Sequence, residues 1–419
     1  MSAREEFWTA RPELEHLHRF ARARRASPWA VLGCTLARVV ALVEPWAVLP
    51  PIVGGYGSLN LFLGLLGPSG GGKGAAEHAA RDAFHYGSEL VVVGVGSGEG
   101  IPHTYMRHVP GKRGEPGTVE QHNTRALFRA PEVDTLAALK GRQGSTLLPV
   151  LRDAWSGDAL GFGYADATRR LPLSAHTYRL CLIVGIQPAR AGVLLDDADG
   201  GTPQRFLWLP VLDPDMPEDR PPEPSPRPWF VPTFRGPRVG GRHVMEVCQT
   251  ATDAIDGAAL ARNRGETDAL DGHALLCRLK TAAALALLFG ETAVTDETWR
   301  LAGVVMAVSD STRAGVVREL GARREAAEVA RGRAEGMRSV AADAVREAEH
   351  LKRVRGAVLR HVGTDWTPHA KVRKAIAARD RHYFDAAMEA LLAADVVEAR
   401  EVSGSGQRGT EYRVAGGES

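Results

Sequence analysis

Hydrophobic positions in the first 45 residues fall at helical spacing. In PELEHLHRFARAR they recur every three or four places, and Ser27-Pro28 opens a second run, PWAVLGCTLARVVALV. Residues 4–45 therefore predict two helices. The pattern then changes. SLNLFLGLLG (58–67), SELVVVGVGSGEG (88–100), TRALFRAPEVD (124–134), YRLCLIVGIQP (178–188) and QRFLWLPVL (204–212) are short apolar runs without alternation. Such runs predict strands covered on both faces, and so a largely parallel sheet in an α/β fold.

Residues 213–242 are rich in proline and predict a surface linker, neither helix nor central strand. Helical spacing returns in 243–321, with ALLCRLKTAAALALLFG and, after a cap at Thr295, DETWRLAGVVMAVSDSTRAGVVREL. Residues 322–350 predict a charged connecting helix, because large apolar side chains are few there. From Arg313 to Arg360 twelve Arg and Lys stand against seven Asp and Glu, so the segment leans basic. In 351–415 three helical stretches, REAEHLKRVRGAVLRHV, HAKVRKAI and RDRHYFDAAMEALLAAD, precede the strands VVEAREV and TEYRVA. Three helices and a hairpin predict a winged helix.

The first buried run ends in LGPSGGGKGAA (66–76). Gly67, Gly72 and Lys73 satisfy the phosphate-loop pattern G-x-x-x-x-G-K, and the order strand, glycine loop, helix AAEHAARDAF is the context that pattern requires. The expected binding set is Gly67, Pro68, Ser69, Gly70, Gly71, Gly72, Lys73 and Gly74. Backbone N–H groups surround a β-phosphate, the helix start adds a favourable field, and Lys73 lies against the β- and γ-phosphates. Gly74 stands where a Ser or Thr hydroxyl normally meets Mg²⁺. The third run ends in PEVD, which offers Glu132 to orient or deprotonate water and Asp134 to help a metal. Pro131 occupies the place of the usual acid before that glutamate. Gln187 ends the fourth run, Arg205 precedes the fifth, and Arg278 is a lone charge on an apolar helix that needs a partner, whether phosphate or carboxylate.

GFGYAD and LPLSAHTYRL can pair as a hairpin with Arg169 and Arg170 near its tip, either a phosphate-contacting finger or a solvated turn. In the last segment Lys371, Arg373, Lys374, Arg379, Arg381 and Arg408 are the candidate DNA contacts, beside His382 and Tyr383. Acidic neighbours offset much of that charge, which leaves a protein-docking role open.

Composition narrows the class. With 419 residues, two or three domains are expected, and 44% hydrophobic against 24% charged residues is an ordinary globular balance. A net charge of +2 selects no partner. Cys34, Cys181, Cys248 and Cys277 are scattered without metal spacing, which suits a reducing cytoplasm. The first twenty residues are too charged for a secretory signal, and 28–66 is too interrupted to span a membrane, so no membrane partner is expected.

Taken in order, GPSGGGKG, PEVD, GFGYADATRRLPL, LCLIVGIQP and TPQRFLW resemble the AAA+ core of replicative helicases. The layout is similar to MCM helicases and to the helicase modules beside primase-polymerases in plasmids, phages and integrative elements. The resemblance implies an AAA+-like NTPase core at 58–212 after an N-terminal helical region (1–57), with a helical lid at 243–321. It implies ATP and Mg²⁺ as cofactors, Glu132 as catalytic glutamate, Gln187 at sensor 1, Arg205 as an arginine finger acting on a neighbouring subunit, and Arg278 at sensor 2. It also implies a hairpin touching DNA, single-stranded or forked, a hexameric ring, and a primase supplied by another chain. Two alternatives stand beside it. The loop is similar to that of guanylate and adenylate kinases, which carry K-G followed by Thr where this chain has Ala75. The two missing metal ligands suit an ATP-binding, DNA-binding switch or loader that hydrolyses slowly or not at all.

Overall fold

A computed structural model describes residues 3–111, 117–140, 146–161, 163, 170–235, 238, 240–266, 272–404 and 407–416. The chain divides into two compact units, Met1–Ala322 and Arg323–Ser419.

The first unit is built on a five-stranded parallel sheet. Its strands are β1 (Phe62–Leu66), β2 (Val92–Gly94), β3 (Arg125–Ala130), β4 (Arg179–Ile186) and β5 (Phe206–Pro210), in the order β5-β1-β4-β3-β2. All eight residues of β4 are buried, as are the first four of β1 and of β5. This is the outcome expected of continuous apolar runs in a covered parallel sheet. Strand β2 departs from the expectation. It covers three residues of the run at 88–100 and lies at the sheet edge, and Val92 within it and Val91 just before it are exposed.

Helix Pro28–Leu42 packs against β1, β3, β4 and β5 and against helices Lys73–Asp82 and Gly272–Leu288. Burial on nearly every side explains its almost unbroken apolar sequence. The N-terminal helices, the sheet and the helices of the predicted lid share one hydrophobic core running from Phe7 to Val316.

Four boundaries differ from expectation. Residues 4–45 form three helices, Ala3–Thr9, Pro12–Ala23 and Pro28–Leu42, because proline at Pro12 starts a new helix rather than continuing one. The proline-rich segment contains a short strand, Arg227–Trp229, paired in parallel with Phe84–Tyr86, and buries Trp229, whose indole N–H donates to Leu287 O at 3.1 Å. A hairpin of Met106–Val109 and Thr118–Gln121 precedes β3 with no alternation to announce it. Finally, the stretch from DETWRL to LRHV, expected as several helices, is one helix, Asp296–His361. It holds no proline, and glycine alone costs only about 1 kcal/mol in a helix. Residues 321–349 are exposed on all sides save at Ala334, so this length is solvated and its few large apolar side chains have no core to enter.

Beneath the sheet, at the N-terminal ends of its strands, lies a cluster of buried cations. Arg179, which opens β4, is fully buried. Its Nε donates to Val43 O (3.2 Å), its Nη1 to Ser58 Oγ (3.2 Å) and Asn60 Oδ1 (3.4 Å), and its Nη2 to Glu44 O (2.9 Å) and Ala47 O (2.8 Å). Burial pulls its guanidinium down to about 10. Lys280 is also fully buried. Its ammonium donates to Asn60 O at 3.1 Å and to Trp155 O, and sits 3.6 Å from the centre of the Trp155 ring. Burial draws it well below the usual lysine range. Asn60 ties the group together: its Oδ1 also accepts from Leu180 N (3.0 Å), and its Nδ2 donates to Ala154 O (2.6 Å). The cluster therefore pins the starts of β1 and β4.

The second unit has its own core of Val354, Val358, Val372, Phe384, Met388 and Leu391 with their neighbours. The end of helix Asp296–His361, helix His369–Ala375 and helix Phe384–Ala393 surround it. A three-stranded antiparallel sheet completes it, in the order Thr367–Pro368, Gln407–Val414, Val397–Gly404. Residues 379–383, expected inside the third helix, belong to a separate 3₁₀ turn, Ala378–Tyr383, before it. Arg353 caps that turn by pairing with Asp380 at 2.6 Å.

Candidate functional site

Parallel strands all end at the same side of the sheet, where open α/β folds place their ligands. Here that side holds the glycine loop after β1, Glu132 after β3 and Gln187 after β4. Because β4 lies between β1 and β3, the three chain exits are adjacent.

The loop is fixed to the sheet at one point, where Gly67 N donates to Ile186 O at 3.0 Å. It then turns tightly, with Gly71 N donating to Pro68 O at 3.1 Å. Gly70 and Gly72 take φ of +72° and +97°, the left-handed region in which a Cβ is strained. Gly72 is the N-cap of helix Lys73–Asp82 and supplies no side-chain cap, which leaves the first helical N–H groups pointing out of the loop. A Cβ placed on Gly70, Gly72 or Gly74 meets nothing within 4 Å, so the space over the loop is open. Lys73 Nζ donates to the loop's own carbonyls, Gly67 O at 3.0 Å and Pro68 O at 2.8 Å. Burial lowers its pKa, and the Glu132 carboxylate opposes that effect.

Gly185 makes this approach possible, and sequence reasoning passed over it. A Cβ at that position would stand 2.0 Å from Pro131 O and 3.2 Å from Lys73 Cδ. The signal was a glycine inside a buried strand, LIVGIQP, which marks a close backbone approach. Gly185→Ala forces the exit of β3, and Glu132 with it, away from β4. The expected cost is about 2 kcal/mol of stability, as for other overpacked sites, together with weaker nucleotide turnover. Melting temperature and turnover equal to the parent's would contradict this role.

The chemistry of the donor set separates phosphate from metal. Uncapped N–H groups, an ammonium and open space suit the phosphates of a nucleotide. For magnesium, Gly74 brings no hydroxyl and Pro131 no acid. Asp134 is half-buried and pairs with Arg190, Nε to Oδ2 at 3.8 Å. Among the described residues no group of three or more His, Cys, Asp or Glu side chains is placed to hold a metal ion. The residues present do not make a resident magnesium site.

Gln187 is half-buried, caps the turn Pro188–Arg190 and faces the same edge as the loop. Arg205 lies at the opposite end of the sheet, just before β5, and only 9% of it is exposed. Its Nη1 donates to Gly200 O at 2.7 Å, its guanidinium sits 5.5 Å from the Trp155 ring centre, and its Nε has no hydrogen-bond partner among the described residues. Reaching a neighbouring copy requires it to leave that seat. Arg278 finds its partner in a carbonyl and a ring rather than in a carboxylate. Its Nη2 donates to Trp299 O at 3.0 Å, with the indole centre 3.9 Å from the guanidinium carbon.

Of the expected hairpin, an antiparallel bridge joins Leu160 to Leu173 and Arg170 is exposed, while Arg169 lies outside the described residues. In the second unit Lys371, Arg373 and Lys374 are exposed on one short helix, and Arg379 is exposed beside Asp380. Arg381 differs: its Nε and Nη2 donate to Ile376 O (3.0 Å) and Lys374 O (3.1 Å), so it braces its own turn. Arg408 lies opposite Ser403 in the terminal hairpin, and its side chain is outside the described residues. Among the described residues no helix is long and apolar enough to cross a membrane. No protein-family model matches the chain, and no curated protein matches it.

Proposed function

We propose that this chain is an ATP-driven DNA helicase or translocase with an AAA+-like P-loop core, serving replication of a mobile element. The observation that carries the reading is the convergence of the glycine loop, Lys73, Glu132 and Gln187 at the C-terminal edge of one parallel sheet. ATP enters with its phosphates over the loop. The uncapped N–H groups bind the β-phosphate, and Lys73 exchanges its two carbonyl acceptors for β- and γ-oxygens. Glu132 orients the attacking water and takes its proton, and Gln187 contacts water or γ-phosphate. Magnesium arrives with the nucleotide as part of the substrate.

In this reading the second unit is a winged helix, and Lys371, Arg373, Lys374 and Arg379 meet the DNA backbone, with Arg169 and Arg170 contributing from the hairpin. Copies assemble as a ring of six, and a primase comes from a separate chain. A switch that binds ATP without rapid hydrolysis is the second reading, favoured by Gly74, Pro131 and the Asp134–Arg190 pair.

Glu132→Gln separates the two. For a motor, turnover falls by at least 100-fold while ATP affinity stays within about threefold, because the substitution removes a base and leaves the cradle. Turnover unchanged in the variant would remove Glu132 from the mechanism.

A further inference from the structure

A second cavity opens at the β2 edge of the first unit, with a volume of about 570 Å³. None of loop residues 67–74 lines it. One wall is basic and comes from three elements: Arg38 on helix Pro28–Leu42, Arg81 on helix Lys73–Asp82, and Arg129 on β3. The other is apolar, made by Leu42, Phe84, Leu90 and Val92. The charges are unevenly satisfied. Arg129 is paired with Glu77, the carboxylate in the wall, and Arg81 Nε with Asp82 at 2.9 Å. Arg38 has neither an ion pair nor a hydrogen bond among the described residues, and its Nε is buried without a partner. A half-buried guanidinium left in that state is costly, and an anion relieves it.

We propose that this cavity is a second ligand site, distinct from the glycine loop, for a small molecule that carries a phosphate on an apolar or aromatic body. Three guanidiniums against Glu77 and Asp82 leave an excess of one positive charge, at Arg38, and Asp82 is shared with Arg24 at 3.5 Å, so the wall stays net cationic toward a phosphate. Arginine's planar fork suits phosphate oxygens. The volume falls in the range of small-molecule sites, and the apolar wall gives the body of the ligand a surface to leave water against. Inorganic phosphate fills the basic half alone. A phosphate at the end of a nucleic-acid strand shares the chemistry, and the test below distinguishes it.

The test is calorimetric titration of the full chain carrying Lys73→Ala, which weakens the loop, with deoxyadenosine monophosphate and with inorganic phosphate, the Arg38 and Leu90 variants below assigning the binding to this cavity. The expected result is saturable binding of one nucleotide per chain, tighter than that of inorganic phosphate. Arg38→Gln should weaken both by at least tenfold, and Leu90→Asp should weaken the nucleotide alone. Arg81→Gln, at an exposed position, should give a smaller loss in the same direction and serves if Arg38→Gln does not fold. The proposal is overturned if neither probe saturates at millimolar concentration, or if the arginine variants bind as the Lys73→Ala parent does. It is also overturned if a 5′-phosphorylated oligothymidine, but not its 5′-hydroxyl counterpart, displaces the nucleotide, which would assign the site to strand ends. Loss of ATP binding at the loop in the parent protein would count against the proposed motor and leave this site standing.

Discussion

Arg179→Ala is expected to lower the melting temperature of the first unit by roughly 10 °C or more. The wild-type guanidinium is fully buried and satisfies five acceptors: three carbonyls, the Ser58 hydroxyl and the Asn60 amide oxygen. Alanine takes the donor from Val43 O and Ala47 O outright, while Glu44 O, Ser58 Oγ and Asn60 Oδ1 each lose one of two donors, keeping Ala47 N, Asn60 N and Leu180 N. Each orphaned acceptor costs about 1–3 kcal/mol, and breaking a buried polar network at one partner typically costs about 3–5 kcal/mol in total. For a unit of this size each kcal/mol moves the midpoint by roughly 2–4 °C. Arg179→Lys keeps the charge but has one donor centre in place of a fork, so it should recover only part of the loss. Because Arg179 begins the strand that ends at Gly185 and Gln187, the alanine variant should also lose activity. A melting temperature within about 2 °C of the parent's would show that the cluster does not pin β4.

Lys73→Ala is the second large effect, and it falls on function. The ammonium rests on two loop carbonyls at a half-exposed edge, so its removal costs little stability. What it removes is a charge-assisted contact to phosphate, worth about 1.5–3 kcal/mol. At about 1.4 kcal/mol for each factor of ten, ATP affinity falls roughly tenfold to a hundredfold, and turnover falls further because the same contact serves the transition state. Melting temperature should stay within about 2 °C. An ATP affinity within threefold of the parent's would mean that the nucleotide does not use this loop.

Much of the sheet was legible because continuous apolar runs have few other uses: β1, β3, β4 and β5 each lie within a run marked by composition alone. The glycine loop was legible for a similar reason, since a strand, three consecutive glycines and a helix leave little choice of geometry. Length was not legible. Strand β2 occupies three residues of its apolar run and lies at the sheet edge, a position that no local pattern encodes. The helix Asp296–His361 carries charged and small residues throughout, and nothing in its periodicity distinguishes one long helix from several in line.

The side-chain assignments divided along the same boundary. Backbone position followed from strand ends, which put Glu132 and Gln187 beside the loop. The fate of a guanidinium depends on tertiary neighbours, and sequence gave little hold on it. Arg205 folds onto Trp155, Arg278 onto Trp299 and Arg381 onto its own turn, while Arg179, ordinary in sequence, is the most deeply committed arginine described. Arg38 was passed over because it lies on a helix that otherwise reads as core.

The central claim, that the loop-centred site drives work on DNA, is tested most directly by the steady-state ATPase rate with and without single-stranded DNA, measured beside the mass of the chain with a non-hydrolysable nucleotide. The account predicts hydrolysis that DNA stimulates several-fold, that Lys73→Ala abolishes, and that accompanies nucleotide-dependent assembly beyond the monomer. A rate equal to that of Lys73→Ala under both conditions would contradict it.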